Sequence, residues 1–452
     1  MNNRRNITDF FDKDFVNYGS YDNLRKIGNI ADGLKNAARK VMYTVLEKNI
    51  KDNVKVNQLA GKVAEFSDYL HGDCSGVIVT LGQDYMGTNI IPLIQKSGNF
   101  GTRFIHEASA PRYIFAKGSK DFFNLFKRED VPILLQQVFE GSKIEPRFYV
   151  PTLPILVING SEGVSTGFSQ LILSRNPDNI KTYLKNILTD HTMYSNTVDK
   201  LLTPYFKGFK GTVEHQTDSE GKIIPNSWVI KGKAQRISKN TVQVLEIPVG
   251  YDLKSYTKVL DKLEDSKVID DYTDLSDKDQ FNFEIKMSKK ILDDITEEEL
   301  LNKLKLSKSV TENYTCIDEN NSVVQYNTIE EILNHYIKIK LSYVLKRKTY
   351  QLNEISTNID VANAKYKFIK LIIDEKLRIA KRKKVDIEKD LEKLEFMKVN
   401  DSFDYLINMP ISSMTEEKLE QLKNQIETLK NKYSELDKMS EYAIWLKDIS
   451  EL

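Results

Sequence analysis

The sequence predicts an α+β chain of several domains, and three observations predict it. The first third alternates short helical stretches with glycine-rich turns. The middle third carries β-branched runs bounded by Gly and Pro. The last third is almost free of proline and places apolar residues at heptad spacing. A length of 452 residues allows about two to four domains. Lys+Arg number 66 against 65 Asp+Glu, so a nucleic-acid surface has to come from local clustering. The two cysteines, Cys74 and Cys316, lie far apart, which argues against a disulfide framework or a zinc site and suits a reducing compartment. Met1-Asn2-Asn3-Arg4-Arg5-Asn6 is followed by no apolar leader core, and no run reaches membrane-spanning length, so the chain is expected to be soluble and intracellular. No GxxxxGK[ST] loop is present, and the glycine-rich segments are not read as nucleotide sites.

Residues 24–47 read as helical at both ends, with a turn at Asp32-Gly33. Between residues 33 and 62 stand Lys35, Arg39, Lys40, Lys48, Lys51, Lys55 and Lys62, against only Glu47 and Asp52. Lys35 and Arg39 are four apart, which on a helix puts both on one side. Ala38, Val41, Met42 and Val45 face the other way. A basic helix over an apolar base is what a helix-turn-helix reader of DNA needs. His71, in His71-Gly72-Asp73, can bind a phosphate oxygen or relay a proton.

The stretch that organises the chain is Gly98-Asn99-Phe100-Gly101-Thr102-Arg103, running on to Pro111-Arg112-Tyr113-Ile114-Phe115. Tyr113 reads as a nucleophile aimed at a DNA phosphate, with Arg112 beside it, although in a chain with 22 tyrosines an Arg-Tyr pair alone is usually surface decoration. A phenol with a pKa of about 10 is ionised only about once in a thousand at neutral pH, so it needs an activating cation, base or metal. Arginine stays charged and offers a planar fork matched to phosphate oxygens. Residues 95–128 hold seven Lys/Arg against Glu107 and Asp121.

Taken in order, Asp32-Gly33-Leu34-Lys35, Arg39-Lys40-Val41, Lys55-Val56-x-Gln58-Leu59-Ala60-Gly61, His71-Gly72-Asp73, Gly98 to Arg103 and Pro111 to Phe115 resemble the DNA-cleavage module of type IIA DNA topoisomerases. The spelling is closer to the eukaryotic and T-even phage branch than to bacterial gyrase. The resemblance implies a winged-helix domain over residues 1–147 in which Tyr113 forms a 5′-phosphotyrosyl bond and Arg112 stabilises the transition state. It places Arg25, Lys35, Arg39 and His71 at the cleaved strand, where Arg25 and His71 are read as catalytic with Tyr113 and Arg112, and Lys35, Arg39, Lys40, Lys55 and Arg103 as DNA-binding. Two letters depart from the family pattern. Leu70-His71 stands where the family has paired histidines, and Asn36 stands where it has proline.

In the middle third, Ile155-Leu156-Val157-Ile158 reads as a buried strand, followed by a glycine-rich turn through residues 159–168. The segment is similar to the family's turn whose apolar residue inserts between base pairs, which makes Val164 the wedge. Lys207 and Lys210, interleaved with Tyr205, Phe206 and Phe209, fit DNA-backbone contacts and equally a turn with solvated lysines; they are carried forward as DNA-binding. Strands are expected around 228–234, 241–248 and 281–287, and a helix from the capping box Thr296-x-x-Glu299. Residues 148–325 are taken as a mixed α/β domain like the family's tower.

The last third opens on a second box, Thr328-x-x-Glu331. Leu352, Ile355, Ile359, Ala362, Tyr366 and Ile369 form one a/d seam, and Leu419, Leu422, Ile426, Leu429, Tyr433 and Leu436 a returning one. Residues 326–452 are therefore expected to form an antiparallel coiled-coil arm. The resemblance implies a dimer gate at its tip, near residues 370–411. It also implies double-stranded DNA as substrate, a homodimer, and a separate partner subunit that binds both Mg²⁺ and ATP. No acidic Glu…Asp-x-Asp cluster in a strand context occurs here, and no metal-ligating residue is assigned. No DNA-wrapping domain follows the arm, which favours relaxation over supercoiling. The setting is the host cytoplasm if the chain is phage-encoded. The rival expectation is a non-catalytic, DNA-binding, dimerising architectural protein of the same fold.

Overall fold

In the computed structural model, residues 7–189, 195–277 and 280–452 are described, so the Met1–Asn6 stretch lies outside them. The chain divides into two compact units, Met1–Lys340 with Asp448–Leu452, and Leu341–Lys447. The expected boundaries at 147/148 and 325/326 are not where it divides, for reasons given below.

The first unit begins with a winged-helix arrangement. Helices Asn36–Glu47, Val56–Ser67 and Ser75–Gly82 pack beside a three-stranded sheet. Its central strand, Phe115–Gly118, pairs antiparallel with Val54–Lys55 on one side and Ile94–Ser97 on the other. Val41, Met42, Val45, Leu59, Val63, Ile78, Ile94 and Ala116 are buried between these elements. Helix Asn36–Glu47 buries Arg39 along with its apolar residues, so the basic face expected to read DNA is not presented as expected. Arg39 turns inward onto Asp32, with Nε–Oδ2 at 2.7 Å and Nη2–Oδ1 at 3.1 Å.

Residues 155–158 form a helix, Ile155–Asn159, and not the expected strand. A four-residue apolar run has no usable periodicity. Pro154 fixes its own backbone just before the run, and its carbonyl accepts from Val157 and Ile158, both at 3.1 Å. The glycine-rich turn then becomes a hairpin, Ser161–Val164 against Ser169–Ile172.

A four-stranded sheet follows in the order Lys233–Arg236, Thr241–Glu246, Phe283–Lys286, Asp271–Asp274. Strand Thr241–Glu246 alternates half-buried and buried positions, the period-2 pattern of a strand with one face on a core. Helices Leu253–Asp265 and Glu297–Lys303 contribute Tyr256, Leu260, Leu300 and Leu301 to that core. Thr296 and Glu299 make both bonds of the expected capping box. A second sheet runs Ser307–Thr311, Ile223–Lys231, Thr212–Thr217.

The segment beyond 147/148 lies in the same compact unit as the winged helix and is bonded to it. The Tyr149 amide donates to Asp32 Oδ2 at 3.0 Å, and Gln170 bonds the backbone of Gly28. The long helix Ile329–Ile373 starts inside the same unit. Tyr336 donates its hydroxyl to the Pro151 carbonyl at 2.6 Å, and buried Lys340 donates to Val150 O at 2.8 Å. Thr328 accepts from the Glu331 amide as expected, but the Glu331 carboxylate bonds Asn327 N instead of closing the box on Thr328.

In the second unit, Lys348 Nζ donates to the carbonyls of Asp437 and Met439, both at 2.8 Å. It satisfies carbonyls at the end of helix Glu416–Lys438, which therefore runs back alongside the long helix. The two seams are only partly buried: Ala362, Ile369, Leu422 and Ile426 are buried, whereas Leu352 and Leu429 are half-buried. A two-helix seam has no third element to cover it. Between the seams, Phe368, Leu377, Leu391, Phe396, Phe403 and Leu406 form a separate small core.

The first unit also holds an ion pair with both side chains fully buried, Arg175 Nη1–Glu312 Oε1 at 2.6 Å and Nη2–Oε2 at 2.7 Å. Trp228 Nε1 and the Tyr314 hydroxyl also donate to Glu312, each at 2.8 Å. Burial alone would raise the Glu312 carboxyl, but the Arg175 charge and these donors outweigh it and hold it below its ordinary value. A depressed carboxyl contributes stability above its unfolded pKa, of about 4.3, and loses it as pH falls through the lower folded value. Glu312→Gln should therefore be less stable at pH 7 by about 3–5 kcal/mol. It should also lose less of its remaining stability between about pH 5 and pH 2. Urea unfolding at several pH values measures both.

Candidate active site

Tyr113 sits in a turn braced from three sides. Its own amide donates to Ala110 O at 2.9 Å. The next residue, Ile114, is buried, and its carbonyl accepts from Val56 N at 3.0 Å at the start of helix Val56–Ser67. Asn57 N donates to Pro111 O at 3.4 Å. The side chain itself stands out, 67 % exposed, with Arg112 Cζ 5.0 Å from the ring centroid. Arg112 is exposed and makes no ion pair among the described residues. Lys55, also exposed, pairs across the strands with Phe115, two residues from the tyrosine.

The glycine-rich motif at 98–103 is the scaffold of that turn. Asn99 Oδ1 accepts from Gly101 N at 2.9 Å, Asn99 O accepts from Ser109 N at 3.0 Å, and Phe100 is buried beneath. Gly101 has φ +92°, and a Cβ there would run into the His106 carbonyl oxygen.

A second group of functional side chains gathers on helix Val16–Lys26 and the loop after helix Val56–Ser67. Tyr21, Arg25, Tyr69 and His71 line one cavity of about 300 Å³, with Lys40 and Glu145 in its wall. The Tyr21 hydroxyl lies 2.5 Å from His71 Nε2, and Arg25 Cζ lies 5.5 Å from the Tyr21 ring centroid. A larger groove of about 890 Å³ continues along Arg25, Lys26, Lys35 and Glu162. Lys35 is half-buried and donates to Glu162 O at 2.5 Å; burial pushes its ammonium down, partly offset by the Glu162 charge. The helix is fixed to the hairpin by its own polar residues. Asp22 Oδ2 accepts from the amide and hydroxyl of Thr166, both at 2.9 Å, and Asn23 Oδ1 accepts from Ser165 Oγ at 2.7 Å. Gly163 lies against Lys26 O, where any side chain would collide. Val164, at the end of the same strand, is 73 % exposed.

The structure thus brings together Arg112 with Tyr113, and separately Arg25 with His71. It records no contact between the two groups among the described residues. Lys207 and Lys210 are both exposed. Three cations assigned to DNA are committed elsewhere. Arg39 is buried on Asp32, and although burial would depress its guanidinium, the Asp32 charge raises it. Lys40 is largely covered, bonded to Ser67 O and to buried Glu145 at 2.9 Å. Arg103 turns inward to the carbonyls of Ile247, Pro248 and Tyr251, faces Glu246 at 3.6 Å, and lies over the Phe281 ring. Neither arginine keeps its donor fork free for phosphate, and the Lys40 ammonium is held by Ser67 O and Glu145. Conversely, the sequence reading missed Tyr21, Tyr69 and the Asp22-Asn23 pair. Spacing carried one usable signal, since Tyr21 and Arg25 are four apart on a helix.

A winged helix presenting an Arg-Tyr turn, a linked α/β region with a projecting hairpin, and a two-helix arm together define the cleavage core of a type IIA topoisomerase. The chain belongs to the DNA gyrase/topoisomerase IV A-subunit family, whose model matches residues 25–450. It is 30 % identical over 458 residues to the mitochondrial DNA topoisomerase 2 of Dictyostelium discoideum, covering 98 % of this chain and 35 % of that protein. It is 30 % identical over 454 residues to the DNA topoisomerase 2 of Invertebrate iridescent virus 6, covering 99 % and 39 %. The chain therefore spans about a third of the length of these relatives. The crystal structure of the Plasmodium falciparum topoisomerase II DNA-binding, cleavage and re-ligation domain superposes with a TM-score of 0.86 at 30 % identity, over 98 % of this chain and 63 % of that one.

Two substitutions separate scaffold from surface. Arg39→Ala leaves the Asp32 charge buried without its partner and should cost about 3–5 kcal/mol in urea unfolding. Lys55→Ala should leave stability within about 0.5 kcal/mol but lower the salt slope of DNA binding by about one unit.

Proposed function

We propose that this chain is the DNA cleavage and religation unit of an ATP-dependent type IIA topoisomerase, with Tyr113 as nucleophile. The observation that carries the proposal is an exposed phenol, beside an arginine that makes no ion pair among the described residues, on a braced turn of a winged helix. The Tyr113 oxygen bonds to phosphorus as the bond to the 3′ oxygen breaks. The phenol loses its proton and the strand's new 3′-OH gains one, so the exchange is balanced. Arg112 holds the nonbridging oxygens as charge shifts through the transition state. Religation is the reverse attack by the 3′-OH and needs no outside energy, because the phosphotyrosyl ester keeps that of the phosphodiester.

In this reading Arg25, Lys35 and His71 bind phosphates of the cleaved strand, and Lys55, Lys207 and Lys210 track the backbone. Val164 inserts between base pairs, at a cost of a few kcal/mol of unstacking repaid by a bent duplex. Two copies are needed because two strands are cut, and a closed twofold pair supplies two tyrosines. The arm provides the contact between copies. Mg²⁺ and ATP are assigned to a separate partner protein, as in a split phage enzyme. Among the described residues no group of three or more His, Cys, Asp or Glu side chains could hold a metal ion. No described helix is long and apolar enough to cross a membrane, and the proposed setting is intracellular.

The test mixes the chain with supercoiled plasmid, the partner carrying the ATPase and metal site, Mg²⁺ and ATP, then adds denaturant and looks for protein attached to DNA 5′ ends. Tyr113→Phe should abolish the covalent adduct and leave DNA affinity unchanged. Arg112→Ala should slow adduct formation by about 10²–10³-fold. Undiminished relaxation by Tyr113→Phe would rule out the assignment.

A further inference from the structure

Tyr21 stands between two of the phosphate-binding groups and touches both. Its hydroxyl is 2.5 Å from His71 Nε2 and its ring lies 5.5 Å from Arg25 Cζ. Tyr69 closes the other side of the imidazole, edge to face at 6.0 Å. His71 is exposed and its Nδ1 has no protein partner among the described residues. Among the described residues the Tyr21 hydroxyl is the hydrogen-bond partner recorded for that ring, and so the group that selects its tautomer.

We propose that Tyr21 is a positioning residue for strand cleavage, which donates its hydroxyl hydrogen to His71 Nε2 and so leaves His71 an Nδ1–H donor turned toward the DNA phosphate. The proposal rests on the cleavage function argued above. The direction of the bond follows from Arg25. A guanidinium against the ring withdraws electron density from it and makes the phenol a better donor than acceptor. Once Nε2 is occupied as an acceptor, the neutral imidazole carries its proton on Nδ1, since the bond made by one ring nitrogen fixes the state of the other. The same ring, held by Arg25 and by the hydroxyl, sets the spacing of two donors that meet one strand. Helix Val16–Lys26 is itself pinned to the hairpin through Asp22 and Asn23, so the pair is presented from a fixed base.

Tyr21→Phe removes one oxygen and keeps the ring under Arg25. The site is 46 % exposed, so folding should survive, which a thermal melt checks. The first readout is the ¹⁵N spectrum of histidine-labelled full-length chain without DNA, at about pH 8.5, where an ordinary imidazole is neutral. His71 is assigned by the signals lost in His71→Gln. The native ring should show Nδ1–H, and Tyr21→Phe should shift it toward Nε2–H. The second readout is the single-turnover rate of adduct formation with the partner protein present. At saturating DNA it should fall about tenfold, the scale for losing an orienting hydrogen bond, while the half-saturating DNA concentration stays within about twofold. A native Nε2–H tautomer, an unshifted tautomer in Tyr21→Phe, or an unchanged rate each overturns the proposal. A loss of rate matched by an equal loss of DNA affinity overturns it too, because that marks a binding contact. Should Tyr113→Phe still form the adduct, the cleavage reading itself fails; the tautomer, measured without DNA, tells the two failures apart.

Discussion

The winged helix hangs on one carboxylate. Asp32, with no exposed surface, accepts two bonds from Arg39, one from Leu34 N at 2.9 Å and one from Tyr149 N at 3.0 Å. A buried ion pair is worth little against an apolar replacement of the same shape, but removing one partner leaves a charge that the interior cannot solvate. Here the partners come from three places: the turn, the helix that follows it, and a segment more than a hundred residues on. The bond set closes the turn that carries Lys35, and joins the first stretch of chain to the second. That is the physical reason the compact unit runs through 147/148 without a break.

This pair also marks how far the chain could be read from its letters. The helix at 36–47 was legible, because Val41, Met42 and Val45 recur on one face. The direction of its cations was not. In one dimension Arg39, Lys40 and Arg103 look like Lys55. What separates them is whether a carboxylate or a row of carbonyls waits nearby. Those partners lie 7 residues away for Arg39, 105 for Lys40, and 144 for Arg103 at Ile247. Only the first distance was short enough to have been noticed. The exposed turn that carries Tyr113 was legible for the opposite reason: the motif around it supplies backbone constraints, at Asn99, Gly101 and Ile114, that are local in sequence. The run at 155–158 failed because four apolar residues fit a strand or a helix equally, and Pro154 decided the matter.

The hairpin at 161–172 is where several constraints meet. Its turn is bonded to Asp22 and Asn23, its first strand lies against Lys26 O and receives Lys35, and Gln170 on its second strand bonds Gly28. An apolar residue can unstack a base step only if its base does not yield first. Val164 projects from a support with polar anchors on both strands, so a load at its tip is carried into the helix that bears Tyr21 and Arg25. In the proposed function, bending of the duplex and grip on the cleaved strand are then mechanically one act, made by one rigid piece of chain.

The distribution of exposure bears on when cleavage can begin. The phenol stands in solvent with a single guanidinium beside it, while Arg25 and His71 are assembled on other elements around a cavity of their own. One adjacent cation in high dielectric contributes only about 1 kcal/mol at contact distance. Reaction therefore waits for a phosphate to be held against both groups with water excluded, where the same charges act far more strongly. In the proposed function, an exposed nucleophile that is inert until the duplex is seated protects the strand: the chain would bind DNA, test whether it bends over Val164, and release it uncut.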